Sequence, residues 1–197
     1  MLTFVRHAES TANAEGRLVG RLDAELSEGG RAAAQRLAGV LDPLAYVYAS
    51  PLSRTRATAA AIAPGHEAEL AEAVIELDYG VLDGERLGDV PRDLWARWHA
   101  DASFAPEGGE SLLDLQVRVD TWLEELFADA EGPARSTSDR VLVVSHVSPI
   151  KAAVAWALRL DPLASFRLRL DHLTATTIGW GPAGPVLHGY NVPLLAP

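Results

Sequence analysis

The sequence predicts an α/β fold in three layers, an α/β/α sandwich whose central sheet is mostly parallel. Four short apolar runs are continuous rather than alternating, which is typical of strands covered on both faces: Leu2–Val5, Tyr46–Ala49, Val74–Leu77 and Val141–Val144. Helical patterns lie between these runs, and strands that alternate with helices favour parallel pairing. Two further segments, Thr174–Trp180 and Val186–Tyr190, flank a turn rich in glycine and proline and predict a closing hairpin.

The first two helices are predicted from their start signals. Ser27 precedes an amphipathic pattern and can accept hydrogen bonds from the free N–H groups of a first turn. Ser50 and Pro51 are a good cap and first-turn pair for a second helix, which we expect to run to about Ala63.

Two longer helices are predicted in the second half of the chain. Ser111 and Asp114 resemble a capping box. They precede one apolar stripe at helical spacing, made of Leu112, Leu115, Val119, Trp122 and Leu126. Ser148 and Pro149 can open a last helix that runs to about Leu160.

Two segments stand outside this alternation. Residues 83–110 are rich in Gly, Asp, Arg and Pro, and we expect them to rise above the sheet with a short helix near 91–99. Within them Trp95 and Trp98 are predicted to serve packing rather than recognition. The polar stretch 131–140 predicts a loop.

Composition limits the possible functions. The chain has 197 residues, of which 48% are hydrophobic and 22% charged, so it can fill one core, and we predict a single domain over 1–197. A net charge of -10 argues against nucleic acid or an anionic membrane as partner. The absence of cysteine excludes disulfides and thiolate metal sites. With no basic leader and no run of 18 apolar residues, we expect a cytoplasmic protein.

Polar side chains follow each of the four predicted strands. Ligands of open α/β sheets usually bind outside the carboxyl ends of the strands, so these side chains are candidates for one site. They are two histidines, two arginines, one carboxylate and one amide: His7, His146, Arg6, Arg54, Glu76 and Asn13.

This set of groups suits the transfer of a phosphoryl group through a phosphohistidine. Arginine binds the roughly two negative charges of a phosphate monoester with a planar fork of donors. A neutral histidine is a competent nucleophile, and neighbouring positive charge disfavours its protonation. A second histidine can stabilise the charge on the moving group, and a carboxylic acid can protonate the leaving oxygen.

Six stretches resemble, in the expected order, the signatures of the histidine phosphatase superfamily, also called phosphoglycerate mutase-like. They cover residues 2 to about 160 and read "VRHAESTAN", "GRLVGRLDAELSEGGRAAAQ", "SPLSRTRATA", "ELDYGVLDGE", "GGES" and "VLVVSHVSPI". The stretch "SHVSPIK" is similar to the branch that includes alpha-ribazole phosphatase-type enzymes. The resemblance implies the phosphoglycerate mutase-like fold.

The resemblance also implies a role for each candidate residue. His7 would be the nucleophile and Glu76 the proton donor. The residues that would hold the phosphoryl group are Arg6, Arg54 and His146, with a further contact from Asn13. No cofactor is implied, and flanking arginines argue against a metal ion beside the histidines.

Some interpretations stay open. Arg54 could be a surface helix arginine, Glu76 could be an ordinary charge at a strand end, and Asn13 is as much a turn or cap residue as a ligand. The sequence departs from the family at Ala8 and Val147, where glycine is usual; β-branching disfavours a positive φ at the second position. The other histidines, His66, His99, His172 and His188, receive no role.

The leading hypothesis is a metal-independent phosphomonoesterase that acts on a small phosphorylated metabolite. A phosphoglycerate mutase is the first alternative, although the chain lacks the paired arginines that such mutases carry after the glutamate segment. A catalytically inactive protein that binds a phosphorylated ligand is the second. The oligomeric state and the identity of the phosphate monoester stay open.

Overall fold

The computed structural model describes residues 1–128, 134 and 139–194, and in them a six-stranded sheet runs through the centre. The strands are β1 (Leu2–Arg6), β2 (Tyr46–Ala49), β3 (Glu69–Leu70), β4 (Val141–Ser145), β5 (Thr174–Gly181) and β6 (Gly184–Pro193). Their order in the sheet is β3-β2-β4-β1-β5-β6. The first four of these are parallel to one another, and β5 and β6 are antiparallel additions beside β1.

Helices cover both faces of this sheet. They are α1 (Thr11–Ala14), α2 (Glu28–Gln35), α3 (Ser53–Ile62), α4 (Arg92–Ala100), α5 (Leu112–Ala128) and α6 (Val147–Leu158), with 3-10 turns at Glu72–Val74, Gly80–Leu82 and Pro162–Arg167. Alternate residues of β4 enter different cores: Val141 and Val143 pack with α5 and α6, whereas Leu142 and Val144 pack with α2 and α3. The predicted three-layer sandwich is therefore confirmed.

The register of the parallel strands sets up the candidate site. Arg6 at the end of β1 lies opposite Ser145 at the end of β4, in the middle of the sheet. The next residue of each chain segment is a histidine, so His7 and His146 leave the sheet side by side. The N–H of His7 continues the ladder by donating to the Ser145 carbonyl at 2.9 Å.

One predicted strand is wrong. Val74–Leu77 does not pair in the sheet; a 3-10 turn ends at Val74 and irregular backbone follows. The run is apolar because its side chains are buried, Val74 fully so. Side chains, instead of a neighbouring strand, donate to carbonyls of this run: the Ser145 hydroxyl donates to Val74 at 2.7 Å, and the Arg118 guanidinium on α5 donates to Ile75 at 2.8 Å. The edge strand is Glu69–Leu70.

The helix starts are partly as predicted. Ser27 caps α2, and Ser111 and Asp114 form the reciprocal bonds of a capping box before α5. By contrast, α3 begins after Leu52 and α6 after His146, so Ser50 and Ser148 are not their caps.

The remaining elements follow the sequence. The short helix near 91–99 is α4, and the closing hairpin is β5 with β6. The predicted loop 131–140 lies mostly outside the described residues. Among the described helices, none combines the length and the apolar character that a membrane crossing requires.

Candidate active site

Two imidazoles meet at the carboxyl edge of β1 and β4. The ring centroids of His7 and His146 are 5.0 Å apart, in an edge-to-face arrangement. Both side chains are buried, His7 with 4% of its surface exposed and His146 with none. The structure therefore brings the two predicted histidines together, in a recess rather than at a strand tip facing solvent.

Hydrogen bonds fix the protonation of the His7 ring. Its Nδ1 lies 2.7 Å from the carbonyl oxygen of Ala8, which can only accept, so Nδ1 carries the proton. The Ala8 N–H is in turn held by the Thr58 hydroxyl on α3 at 3.1 Å. The free lone pair of a neutral His7 is consequently on Nε2.

The His146 ring is held at both nitrogens. Arg54 Nε donates to Nδ1 at 3.3 Å, so Nδ1 is the acceptor and Nε2–H donates to the Ser50 hydroxyl at 2.7 Å. Ser50 thus acts on His146 instead of capping α3. In this arrangement His146 is a neutral imidazole that is fully hydrogen-bonded.

One of the two predicted arginines, Arg54, contacts His146 directly. Arg54 is fully buried in the first turn of α3, and its two terminal nitrogens donate to the carbonyls of Leu22 at 2.8 Å and Gly20 at 2.6 Å. Gly20 is required there because a Cβ would lie 2.7 Å from the Leu77 carbonyl. Arg54 is therefore not a surface arginine.

Arg6 offers an unused donor. One terminal nitrogen donates to the Leu170 carbonyl at 2.7 Å. Its Nε–H is buried and finds no acceptor within the described part of the chain. A buried donor without a partner is costly, so an anion that accepts from Nε would stabilise this arrangement.

Glu76 lies at the N-terminus of α6 and is 4% exposed. Its carboxylate accepts from the N–H groups of Val147 at 3.1 Å and Ser148 at 3.2 Å, and from Leu77 at 2.8 Å. The first N–H groups of a helix have no partner within the helix, which makes this end an anion site. Glu76 reaches it from irregular backbone rather than from the predicted strand, and Val147 needs no positive φ there.

Asp83 and Asn13 form hydrogen bonds away from the histidines. Asp83 accepts from Gly20 and Leu22 at 2.7 and 2.6 Å. Asn13 is the third residue of α1, and its side-chain oxygen accepts from the backbone and hydroxyl of Ser10. Asn13 is thus a capping residue, and its contact with a phosphoryl group stays a prediction.

His172 is a site residue that the sequence did not reveal. Its ring centroid is 5.4 Å from that of His7, and its Nδ1 donates to the His7 carbonyl at 2.8 Å. The backbone is strained beside it, because Leu173 adopts a φ of 55°. The signal that could have found it is topological: β5 is antiparallel to β1, so the residues before β5 return to this edge.

Burial and charge keep the histidines neutral. Desolvation, followed by the charges of Arg54 and Arg6, lowers the pKa of His7 well below its usual value. Desolvation, together with the neighbouring His7 and Arg54, does the same to the pKa of His146. Within the described residues, no group of three or more His, Asp or Glu side chains is arranged to hold a metal ion.

These lowered pKa values predict acid destabilisation. An unfolded histidine has a pKa near 6.5, so below this pH the unfolded chain binds protons that the folded chain does not, and the free energy of unfolding falls as the pH falls. Between pH 7.5 and 5.5 each such histidine should lower the free energy of unfolding by an amount on the order of 1 kcal/mol. Urea unfolding of His146→Gln should therefore show a smaller loss of stability over this pH range than wild type. Equal losses would contradict a neutral buried His146.

Comparison with known proteins gives one family. The family model described as histidine phosphatase superfamily (branch 1) matches residues 2–193. Phosphoserine phosphatase 1 of Hydrogenobacter thermophilus is 37% identical over 170 residues, which are 81% of this chain and 77% of that protein. The 2,3-bisphosphoglycerate-dependent phosphoglycerate mutase of Rhizobium etli is 32% identical over 166 residues, 77% of each chain.

Solved structures agree with this family. The mycobacterial glucosyl-3-phosphoglycerate phosphatase is 27% identical with a TM-score of 0.83, covering 97% of this chain and 98% of that one. The alpha-ribazole phosphatase from Shigella flexneri has a TM-score of 0.82 over 96% and 95% of the chains, and at 22% identity it shows the fold alone.

Proposed function

Because the chain belongs to the histidine phosphatase superfamily, we propose that it hydrolyses a small phosphate monoester through a phosphohistidine on His7, without a metal ion. The chain is a phosphatase of this superfamily, and its relatives include phosphatases for phosphoserine and for glucosyl-3-phosphoglycerate. The observation that carries the proposal is the geometry of His7, whose Nδ1–H donates to Ala8 and whose Nε2 has no hydrogen-bond partner among the described residues.

In the first step His7 Nε2 attacks phosphorus as the bond to the leaving oxygen breaks. The Nε–H of Arg6, which has no acceptor among the described residues, can donate to one phosphoryl oxygen, and Arg54 has further N–H groups that can donate to another. Glu76 gives its proton to the leaving oxygen, and the three N–H groups around it hold the carboxylate that remains.

In the second step water attacks the phosphorus of phospho-His7. Glu76 takes a proton from this water, inorganic phosphate leaves, and the lone pair returns to Nε2. His146 supplies charge stabilisation through the Arg54–His146–Ser50 chain of hydrogen bonds rather than as a free donor.

Phosphate release in the presence of excess chelator tests this mechanism. We expect hydrolysis of p-nitrophenyl phosphate to continue at its full rate after dialysis against EDTA, because the guanidinium groups of Arg6 and Arg54 already meet the phosphoryl charge. Activity that is lost with EDTA and restored by magnesium or zinc would overturn metal independence.

The mutase alternative is supported by the relative from Rhizobium etli and has its own measurement. A mutase would interconvert 3-phosphoglycerate and 2-phosphoglycerate faster than it releases phosphate from either. An inactive binding protein would release no phosphate from any ester in a metabolite panel and would form no phosphoenzyme. We expect phosphate release to exceed interconversion.

A further inference from the structure

Lys151 is the single lysine of the chain, in which every other one of the 17 Lys and Arg residues is an arginine. It lies in the second turn of α6, three and four residues after Ser148 and Val147, and therefore on the same face of the helix. The positive end of the helix dipole is at this N-terminus, so a cation here gains nothing from the helix itself.

Lys151 lines a small pocket of about 100 Å³. Aromatic rings form much of its wall, among them Tyr79, Trp95 and Phe166. Leu77 and Ser148 also line it, and their N–H groups hold the Glu76 carboxylate. The pocket thus adjoins the carboxylate that would protonate the leaving oxygen.

The Lys151 ammonium has no protein partner in this pocket. Within residues 1–128, 134 and 139–194 it makes no hydrogen bond and no ion pair of 4 Å or less. Burial lowers its pKa, and the more distant Glu76 carboxylate opposes that shift. A partly desolvated cation without a counter-ion is costly, and an arriving anion would remove this cost.

The aromatic walls add selectivity for size and shape. Burial also raises the pKa of the Tyr79 phenol, which stays protonated and keeps a donor in the wall. A small recess with aromatic walls, one cation and the hydroxyls of Tyr79, Ser148 and Ser165 suits a short carbon chain that ends in a carboxylate.

We infer that this pocket binds the leaving alcohol and that Lys151 pairs with a carboxylate on it, so that the preferred substrates are phosphate esters of small hydroxy acids. This inference rests on the proposed function, because it takes the alcohol to lie beside Glu76. It makes Lys151 a specificity residue, with no part in bond breaking.

Two pairs of esters that differ at the carboxylate provide the first test: phosphoserine with phosphoethanolamine, and 3-phosphoglycerate with glycerol 3-phosphate. Wild type should hydrolyse the carboxylate member of each pair with the higher kcat/KM. Lys151→Met keeps the length of the side chain and should reduce that preference by about 10- to 100-fold, the usual effect of losing a charged hydrogen bond. Arg56→Met removes a positive charge from an exposed position of α3 and should keep the wild-type ratio.

Amine labelling provides a second test that needs no turnover. Because Lys151 is the single lysine, mass spectrometry after reductive methylation reads its reactivity directly. We expect 3-phosphoglycerate to protect Lys151 and glycerol 3-phosphate to protect it several-fold less.

The outcomes separate the two proposals. If wild type hydrolyses all four esters and the kcat/KM values within each pair are nearly equal, the inferred carboxylate site is wrong and the phosphatase proposal is unaffected. Equal protection of Lys151 by both labelling ligands would have the same meaning. Absence of hydrolysis with selective protection by 3-phosphoglycerate overturns the proposed function and supports the pocket.

Discussion

Replacing His7 by alanine should reduce phosphate release to background, a loss of at least about 100-fold in kcat, because the variant has no nitrogen lone pair to attack phosphorus. The fold should persist, since the main-chain bonds of this residue remain. Its N–H still donates to Ser145 and its carbonyl still accepts from His172. The bond that is lost is the one from Nδ1 to Ala8.

The phosphoenzyme gives the direct measurement for His7→Ala. Wild type, mixed briefly with a ³²P-labelled ester and quenched in base, should retain acid-labile label, and His7→Ala should retain none. His172→Ala is the matched control, because it removes the neighbouring imidazole and should still accept label on His7. Thermal unfolding and vanadate binding establish that each variant is folded.

Residual turnover above about one percent of wild type in a folded His7→Ala protein would contradict covalent catalysis by this residue. Label that persists in His7→Ala and disappears in His172→Ala would move the nucleophile to His172. These two results are distinct, since the first concerns rate and the second the site of attachment.

The sequence predicts correctly those site residues whose positions follow from the ends of parallel strands. His7 and His146 follow two apolar runs that pair as neighbouring parallel strands, and such strands end at one edge of the sheet. Arg54 follows from the same argument, one turn into the helix after β2.

The sequence-based predictions are wrong where contacts with residues distant in sequence determine the local structure. The run around Val74 has the composition of a strand, yet its neighbouring carbonyls accept hydrogen bonds from Arg118, which lies 42 to 45 residues later in the sequence. No local pattern distinguishes that arrangement from sheet pairing. The sequence does not predict His172 as a site residue for a similar reason: it precedes an antiparallel strand that starts at this edge, and no motif surrounds it.

The acid assignment is affected by this error. The sequence predicts Glu76 at a strand end, where exposed carboxylates are common, and other acids lie near it in sequence. The structure separates them: Asp83 is turned to the loop at Gly20 and Leu22, and Asp78 accepts from Gly80 and faces Arg21 at 3.4 Å. Glu76 is the acid held at the start of α6, directly after His146.

Glu76→Gln should therefore impair alkyl phosphates far more than aryl phosphates. An alkoxide must be protonated as it leaves, and a general acid typically contributes about 10²- to 10⁴-fold to such a step. A nitrophenolate is stable without a proton, so formation of phospho-His7 from p-nitrophenyl phosphate should be much less affected. The glutamine can keep the oxygen that accepts from Leu77 and Ser148, and it loses the one that accepts from Val147.

Rapid-quench measurement of phosphoenzyme formation with both ester types decides the role of Glu76. The informative quantity is the ratio of the rate loss on the alkyl ester to the rate loss on the aryl ester. The Val147 N–H, left without its acceptor, destabilises the protein, and this effect is the same whichever ester is the substrate. Asp78→Asn is the matched control, since it removes a neighbouring carboxylate that is engaged with Arg21, and it should affect both esters equally. Equal losses on both esters in Glu76→Gln, or no loss on the alkyl ester, would assign the proton to another group. A selective loss in Asp78→Asn would identify that group as Asp78.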